Sequence, residues 1–220
     1  MGLGVLILGE SGSGKSTSLR NFAKSEVLVF SVTGKRLPFR NKLNTVNLRN
    51  MSGGERYEVI TSCLYKYQEK CKTFVIDDSQ YLMAFEEMGR WAEQGYGKFS
   101  QMALHFKELL DTIASLNDDV AVYLLHHTEV DDYGRLKAKT VGKMLDSKLT
   151  VEGLFEVVLM AVNDDGKYCF KTHNDGTSTV KSPIGMFDDD AIDNDLNAVN
   201  EVIREYFGMD GDNAMDGDDA

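Results

Sequence analysis

A glycine-rich run near the start of the 220-residue chain has the residue types of a phosphate-binding loop. Glycines let a backbone turn tightly and point its N–H groups at an anion, because no Cβ atom blocks the approach. A following lysine supplies an ammonium for the β- and γ-phosphates, and the next hydroxyl supplies an oxygen for Mg²⁺. The run comprises Gly9, Glu10, Ser11, Gly12, Ser13, Gly14, Lys15, Ser16 and Thr17. It predicts a site for a nucleoside triphosphate, with Lys15 on the phosphates and Ser16 on Mg²⁺.

The segments on either side of this loop have the order that such a site needs. Residues 3–8 are apolar and predict a buried strand, and residues 17–24 predict the first turns of a helix. The N-terminus of that helix would then face the bound anion, which its partial positive charge favours.

Two consecutive acids follow another apolar segment, residues 72–76. Ligands of open α/β sheets bind at the carboxyl ends of the strands, so we assign Asp77 to Mg²⁺ and expect its strand beside that of the loop. Asp78 would orient and polarise the attacking water. The alternative for Asp78 is a cap of the following helix, and Glu10 is the competing acid.

Two histidines end the next predicted strand, residues 120–125. A neutral imidazole can donate a hydrogen bond to a γ-phosphate, and strand alternation places only one of the two on the site side. We expect it to be His127; a structural histidine at a strand end is the alternative. The segment Asn41-Lys42-Leu43-Asn44 lacks the carboxylate that reads guanine, so ATP is the expected nucleotide.

Strands and helices alternate up to about residue 130, which predicts a parallel sheet covered on both faces. Turns at residues 163–166 and 174–176 then predict antiparallel hairpin strands at one edge. The expected class is an α/β P-loop NTPase with a core over residues 1–187, a packed C-terminal helix over 188–207 and a disordered acidic tail over 208–220. Further strands are expected over residues 26–32, 45–48, 151–162, 167–172 and 177–181, and helices over 55–70, 81–94, 99–116 and 194–207.

The net charge of −11 is unevenly distributed. Residues 27–54 contain no acid, and residues 133–148 are also mainly basic. Local patches decide where a polyanion docks, so these runs supply candidate DNA contacts, with ordinary solvated loops as the alternative. The candidates are Lys35, Arg36, Arg40, Lys42, Lys137 and Lys139. No run of eighteen apolar residues exists, no signal peptide is evident and the three cysteines form no C-x-x-C pair, so a cytoplasmic protein is expected.

Four segments together resemble the phage-encoded RecA-like ATPases, a compact single-domain branch of the recombinase superfamily. They are GESGSGKST, FVIDDSQYL, YLLHHTEV and TVGKMLDSKLTVEGLFEVVL. The closing segments KSPIGMF and NDLNAVNEVIREYF also resemble the end of that group, so the resemblance covers roughly residues 4–207. It implies single-stranded DNA binding and annealing by a homo-oligomer, a ring or a filament, with ATP between subunits. It further implies that a basic residue of one subunit reaches the γ-phosphate held by the next; Lys143 matches this role best and Lys139 second. The glutamate that some relatives carry after the second strand is missing here.

Other interpretations remain open on the sequence. A nucleotide-gated binding protein with little turnover would recruit replication or recombination partners, such as a single-strand-binding protein. The segment Ser52-Gly53-Gly54-Glu55 resembles the signature of transporter-type ATPases, but the short spacing from Lys15 favours a helix start with Ser52 as its cap. A small-molecule kinase ranks last, because no Arg-rich lid is visible.

Overall fold

The computed structural model describes residues 1–40, 42–95, 97–141 and 150–211, and these form a mixed α/β fold around one sheet. The strands are β1 (Leu3–Gly9), β2 (Val27–Ser31), β3 (Asn44–Asn47), β4 (Thr73–Asp77), β5 (Ala121–Val130), β6 (Leu136–Ala138), β7 (Val157–Asp164), β8 (Lys167–Lys171) and β9 (Ala191–Asp193). The helices are α1 (Gly53–Tyr67), α2 (Gln80–Gly89), α3 (Gly97–Ser115) and α4 (Leu196–Tyr206), with 3-10 helices at Ser16–Asn21 and Val151–Leu154.

The sheet order is β3-β2-β4-β5-β1-β7-β8-β9, with β6 paired to β5. The strands from β3 to β7 in this order pair in parallel, and β8 and β9 continue the sheet in antiparallel fashion. This confirms the predicted class, a mainly parallel sheet with antiparallel strands toward the C-terminus. The expected neighbourhood of β4 and β1 is wrong, because β5 lies between them.

The central strands are apolar along their whole length because helices cover both faces of the sheet. Val5, Leu6 and Ile7 of β1 are fully buried. Leu6 packs in an upper core with residues of α1, α2 and α3, whereas Val5 and Ile7 pack in a lower core with α4 and the first 3-10 helix. Burying each such side chain contributes roughly 1.5–3 kcal/mol to folding.

Helix α1 begins with a capping box. The Ser52 hydroxyl accepts a hydrogen bond from the Glu55 backbone N–H, and the Glu55 carboxylate accepts one from the Ser52 N–H at 2.7 Å. A Cβ atom on Gly53 would lie 2.6 Å from Cα of Glu86, so only glycine permits this approach of α1 to α2. The run Ser52-Gly53-Gly54-Glu55 therefore forms a helix start, as predicted for Ser52.

Helix α4 packs across the lower face of the sheet. The Asp195 carboxylate caps it by accepting from the N–H groups of Asn197 and Ala198. Leu196, Val199 and Ile203 are buried in the lower core, and Met209 beyond the helix joins them. The packed chain thus reaches at least Met209, and residues 212–220 of the predicted tail lie outside the described residues.

Several predicted boundaries are wrong. The predicted helix over residues 17–24 is a shorter 3-10 helix, Ser16–Asn21, rich in Ser, Thr and Asn, which favour turns over helix interiors. Residues 151–162 begin as a 3-10 helix and become a strand only at Val157. Residues 177–181 form isolated bridges, Ser178 with Leu136 and Lys181 with Val158, instead of a strand. Strands β6 and β9 were not predicted.

None of the helices in the described ranges is long and apolar enough to cross a lipid bilayer.

Candidate active site

The strand register brings the predicted site residues together at the carboxyl ends of the parallel strands. Gly9 at the end of β1 pairs with His127 of β5, and Ser31 at the end of β2 pairs with Asp77 of β4. Because all four strands run parallel, the loops that follow them emerge side by side. The glycine-rich loop, the two acids and the histidines therefore meet although they are far apart in sequence.

The glycine-rich loop closes around the Lys15 side chain. Its Nζ donates hydrogen bonds to the carbonyl oxygens of Gly9 at 2.6 Å and Glu10 at 2.8 Å. Burial lowers the pKa of Lys15 to about 8, although the nearby Asp78 and Asp77 carboxylates oppose this. A buried ammonium whose hydrogen-bond partners are loop carbonyls fits a loop built to receive an anion.

Two positions of this loop require glycine because neighbouring atoms lie too close for a side chain. A Cβ on Gly9 would lie 2.4 Å from Oγ of Ser13 and 2.8 Å from the carbonyl oxygen of Ala161. Gly14 has φ +96°, and a Cβ there would lie 2.8 Å from the Tyr168 ring. The loop is thus pressed against β7 and β8, which leaves its other side for a ligand.

The residues assigned to Mg²⁺ converge. The Ser16 hydroxyl donates a hydrogen bond to Oδ1 of Asp77 at 2.7 Å. Burial raises the pKa of Asp77 to about 6, and the adjacent Asp78 adds to the rise, while the Ser16 bond and Lys15 oppose it. A buried carboxylate with an elevated pKa beside a serine hydroxyl is an oxygen donor set that suits a hard divalent cation. The chain's own residues therefore fit Mg²⁺ at this position.

Asp78 has an unusual backbone conformation. Its φ is 62°, in the left-handed region that non-glycine residues rarely adopt, and this turns its side chain out of the strand direction. Oδ1 faces His127 Nε2 at 3.2 Å, and Oδ2 accepts from the Thr33 hydroxyl at 2.8 Å and from Lys35 Nζ at 3.4 Å. Burial acts to raise the pKa of Asp78, but the bonds from His127 and Thr33 and the Lys35 charge bring it to about 2. Asp78 is therefore ionised and faces the site, and the cap position of α2 belongs to Ser79.

The two histidines point to opposite sides of β5. His126 is fully buried: its Nδ1 lies 2.9 Å from Oγ of Ser79, and its Nε2 donates to the Lys139 carbonyl at 2.8 Å. His127 instead faces Asp78 and stacks edge-on against Tyr81, with ring centroids 5.6 Å apart. The structure thus places His127 on the site side, and its role in catalysis stays a prediction.

These groups line one cleft of about 340 Å³. Lys15, Ser16, Asp77, Asp78 and His127 lie in it together. Its rim includes Lys35, Arg36, Pro38 and Tyr168, which the sequence did not assign to a nucleotide site.

Residues 1–184 match the family model described as an AAA domain, which is most of the chain. The chain belongs to the AAA domain family of P-loop ATPases. No curated protein matches the sequence. Such a domain implies nucleotide use, and the assignment of the glycine-rich loop and Asp77 to the nucleotide and its Mg²⁺ stays a prediction.

Asp78 and Glu10 were the two candidates for the catalytic base, and they line different cavities beside the glycine-rich loop. Glu10 is exposed and lines a neighbouring cavity of about 380 Å³ with Thr128 and Asn163. Asp78 lines the cleft that holds Lys15 and Asp77. The geometry favours Asp78.

The predicted DNA contacts of this AAA domain separate into three groups. Lys35 and Arg36 belong to the cleft, whereas Arg40, Lys42 and Lys139 are exposed elsewhere on the surface. Lys137 has only 18% of its side chain exposed and lies 3.4 Å from Glu129. The predicted finger Lys143 falls in residues 142–149, outside the described residues.

Sequence reasoning missed Thr33, Lys35 and Tyr168 as site residues of this AAA domain. For Thr33 a signal existed, since it follows β2, whose end pairs with Asp77. Thr33 occupies the region where some relatives carry a glutamate, and it holds Asp78 instead. Tyr168 comes from an antiparallel hairpin at the far edge, and nothing in its local sequence marks it.

Proposed function

We propose that this chain hydrolyses ATP in an Mg²⁺-dependent reaction at the cleft beneath the glycine-rich loop. The observation that carries the proposal is the 2.7 Å hydrogen bond between Ser16 and Asp77, made in the same cleft as Lys15 and Asp78. Four residues from two distant segments meet there in the arrangement that phosphoryl transfer from a nucleotide needs.

Each residue then has a defined task. Lys15 releases the carbonyls of Gly9 and Glu10 and binds the β- and γ-phosphates in their place. Asp78, ionised at neutral pH, accepts a hydrogen bond from a water that attacks the γ-phosphorus as the bond to the β-phosphate oxygen breaks. His127 holds Asp78 in position from the other side. Mg²⁺, held by Ser16 and Asp77, would neutralise charge on the phosphates.

The test compares three variants in ATP binding and phosphate release. Lys15→Ala should lose both binding and turnover. Asp78→Asn keeps a short polar side chain, which tolerates the left-handed backbone. It should bind ATP but release phosphate at least about 100-fold more slowly than wild type. Lys24→Ala, an exposed charge removed outside the cleft, should behave as wild type. Turnover in Lys15→Ala equal to wild type would refute the assignment.

We further propose that the protein is a RecA-like, phage-type ATPase that binds single-stranded DNA as a homo-oligomer and promotes annealing or recombination. The support is the sequence resemblance together with the exposed cations Arg40, Lys42 and Lys139. Phosphate contacts would supply most of the affinity, so DNA binding and DNA-stimulated turnover should fall steeply with salt. Arg40→Ala with Lys42→Ala should weaken DNA binding and leave DNA-free turnover unchanged.

A second candidate is a nucleotide-gated binding protein with little turnover that recruits replication or recombination partners. The observation that favours it is the pairing of both Asp78 oxygens, which leaves the carboxylate occupied by His127, Thr33 and Lys35. Tight ATP binding without phosphate release, with or without an oligonucleotide, would select this candidate over the first.

A further inference from the structure

Lys35 is positioned by an anchored backbone and carries a solvated charge. Its carbonyl accepts a hydrogen bond from Oγ of Ser31 at 3.3 Å, and Leu37 and Phe39 after it pack on the lower core. The side chain is 69% exposed, and its Nζ lies 5.8 Å from the centroid of the Tyr81 ring. The attachment point is thus fixed while the ammonium can move.

The pairing of Lys35 with Asp78 is dispensable for Asp78. Both Lys35 Nζ, at 3.4 Å, and the Thr33 hydroxyl, at 2.8 Å, approach the same oxygen, Oδ2. His127 occupies the other oxygen. When Lys35 leaves, each carboxylate oxygen keeps one donor, and Oδ2 gains a free lone pair for a water. The Lys35 end of this pair is solvated and Asp78 keeps its other two donors, so loss of the pair opposes the movement only weakly.

The terminal phosphoryl group of a bound triphosphate would attract the Lys35 ammonium more strongly than Asp78 does. In the described residues the cleft contains Lys15 as its buried cation, Lys35 and Arg36 as exposed cations, and Asp77 and Asp78 as its acids. A terminal phosphoryl group carries more negative charge than a carboxylate, and its charge must be stabilised as the transition state forms. Lys35 lines the same cleft and lies on the side of Asp78, where the attacking water is proposed to bind.

We propose that Lys35 is a catalytic residue that moves from Asp78 to the terminal phosphoryl oxygens when ATP binds, and so distinguishes ATP from ADP within a single chain. The inference rests on the proposed ATPase function. Binding of the triphosphate and release of Oδ2 for the attacking water are then one event, because the same ammonium moves from one to the other. Lys35 makes and breaks no covalent bond.

The experiment measures the dissociation constants of ADP and of a non-hydrolysable ATP analogue, each with Mg²⁺, together with kcat and KM for ATP. The full-length wild type is compared with Lys35→Ala, Lys35→Arg and the control Lys24→Ala. Lys35→Ala should weaken the ATP analogue about tenfold, leave ADP unchanged and lower kcat on the order of 100-fold. Lys35→Arg, which keeps the charge, should recover part of kcat, and Lys24→Ala should match wild type.

The outcomes separate this inference from the proposed function. If wild type binds the ATP analogue and Lys35→Ala weakens both nucleotides equally, or neither, Lys35 does not sense the terminal phosphate and the inference is wrong. If wild type binds nucleotide but does not hydrolyse ATP, the inference is still tested by whether Lys35→Ala weakens the ATP analogue more than ADP. Wild type that binds neither nucleotide overturns the proposed function and this inference with it. Loss of single-stranded DNA binding in Lys35→Ala with unchanged nucleotide constants would make Lys35 a DNA contact instead.

Discussion

His126 shows how a residue beside the site can be structural while its neighbour faces the cleft. Complete burial lowers its pKa to about 4, and both ring nitrogens are hydrogen-bonded. Nε2 must carry the proton because its partner, the Lys139 carbonyl, only accepts. The Ser79 hydroxyl lies 2.9 Å from Nδ1 and 3.0 Å from the Leu125 carbonyl oxygen, and its one proton is shared between these two acceptors. A neutral imidazole thus links Ser79 before α2 and Lys139 after β6 to β5, next in sequence to Asp78 and His127.

The first prediction concerns the pH dependence of stability. The pKa of His126 is lower in the folded protein than its ordinary 6.5, so between these values the unfolded chain binds a proton that the folded chain does not. Its contribution to stability is therefore complete above pH 6.5 and is lost as pH falls toward 4, by up to roughly 3 kcal/mol. Urea unfolding between pH 4.5 and 7.5 should show a flatter profile for His126→Asn than for wild type. Equal slopes for wild type and His126→Asn would contradict the assignment.

At the scale of elements, the sequence predicted the strands of the parallel sheet because these must be apolar on both faces. Segments such as β1, β4 and β5 read as uninterrupted apolar runs that end in polar site residues. Strand order is not encoded in this way, so β5 between β1 and β4 was missed. The segment 177–181 has the composition of a strand, but its backbone makes only isolated bridges. Site residues that lie in the glycine-rich motif or at the end of a strand could be predicted from the sequence. Lys35 and Tyr168 could not, because only the packing of the chain brings them to the cleft.

The hairpin of β7 and β8 brings an aromatic side chain to the cleft. Asp165 and Gly166 form its turn with positive φ values, as the sequence predicted for this hairpin. Tyr168 on β8 then lies against Gly14 and remains 42% exposed. Pro38 lies across the rim of the same cleft. We therefore expect the nucleobase of a bound nucleotide to stack on the Tyr168 ring.

The second prediction follows from this placement. Tyr168→Ala should raise the dissociation constant of ADP by about tenfold, because stacking of a base on an aromatic ring contributes roughly 1–3 kcal/mol. Tyr168→Phe should bind as wild type, since the ring is retained. Tyr133→Ala, on the other hairpin and 84% exposed, is the control for loss of a surface tyrosine. Unchanged ADP binding in Tyr168→Ala would mean that the base binds elsewhere.

At the scale of the whole molecule, the cleft opens at one edge of the sheet and is lined on its described sides by one chain. Lys15, Lys35 and Arg36 supply the cations there. Two acids face them, so a further cation from outside would increase transition-state stabilisation. A head-to-tail contact between copies, in which one surface meets a different surface of the next, can deliver such a residue to every cleft of a ring or filament. The sequence resemblance assigns this task to Lys143.

The third prediction is that two inactive variants restore each other. Lys15→Ala lacks the phosphate ligand and Lys143→Ala lacks the proposed finger, so each alone should show little DNA-stimulated turnover. In an equimolar mixture, half of the clefts are intact and half of the neighbours present Lys143, which gives about a quarter of wild-type turnover if copies mix at random. Phosphate release is measured with an oligonucleotide present, after the copies have exchanged. Mixing Lys15→Ala with Lys24→Ala sets the level expected from random mixing with a fully active partner. Absence of any gain over the separate variants would show that Lys143 acts within its own chain or outside the reaction, and would leave the cations of the cleft itself, Lys15, Lys35 and Arg36, to act on the phosphates.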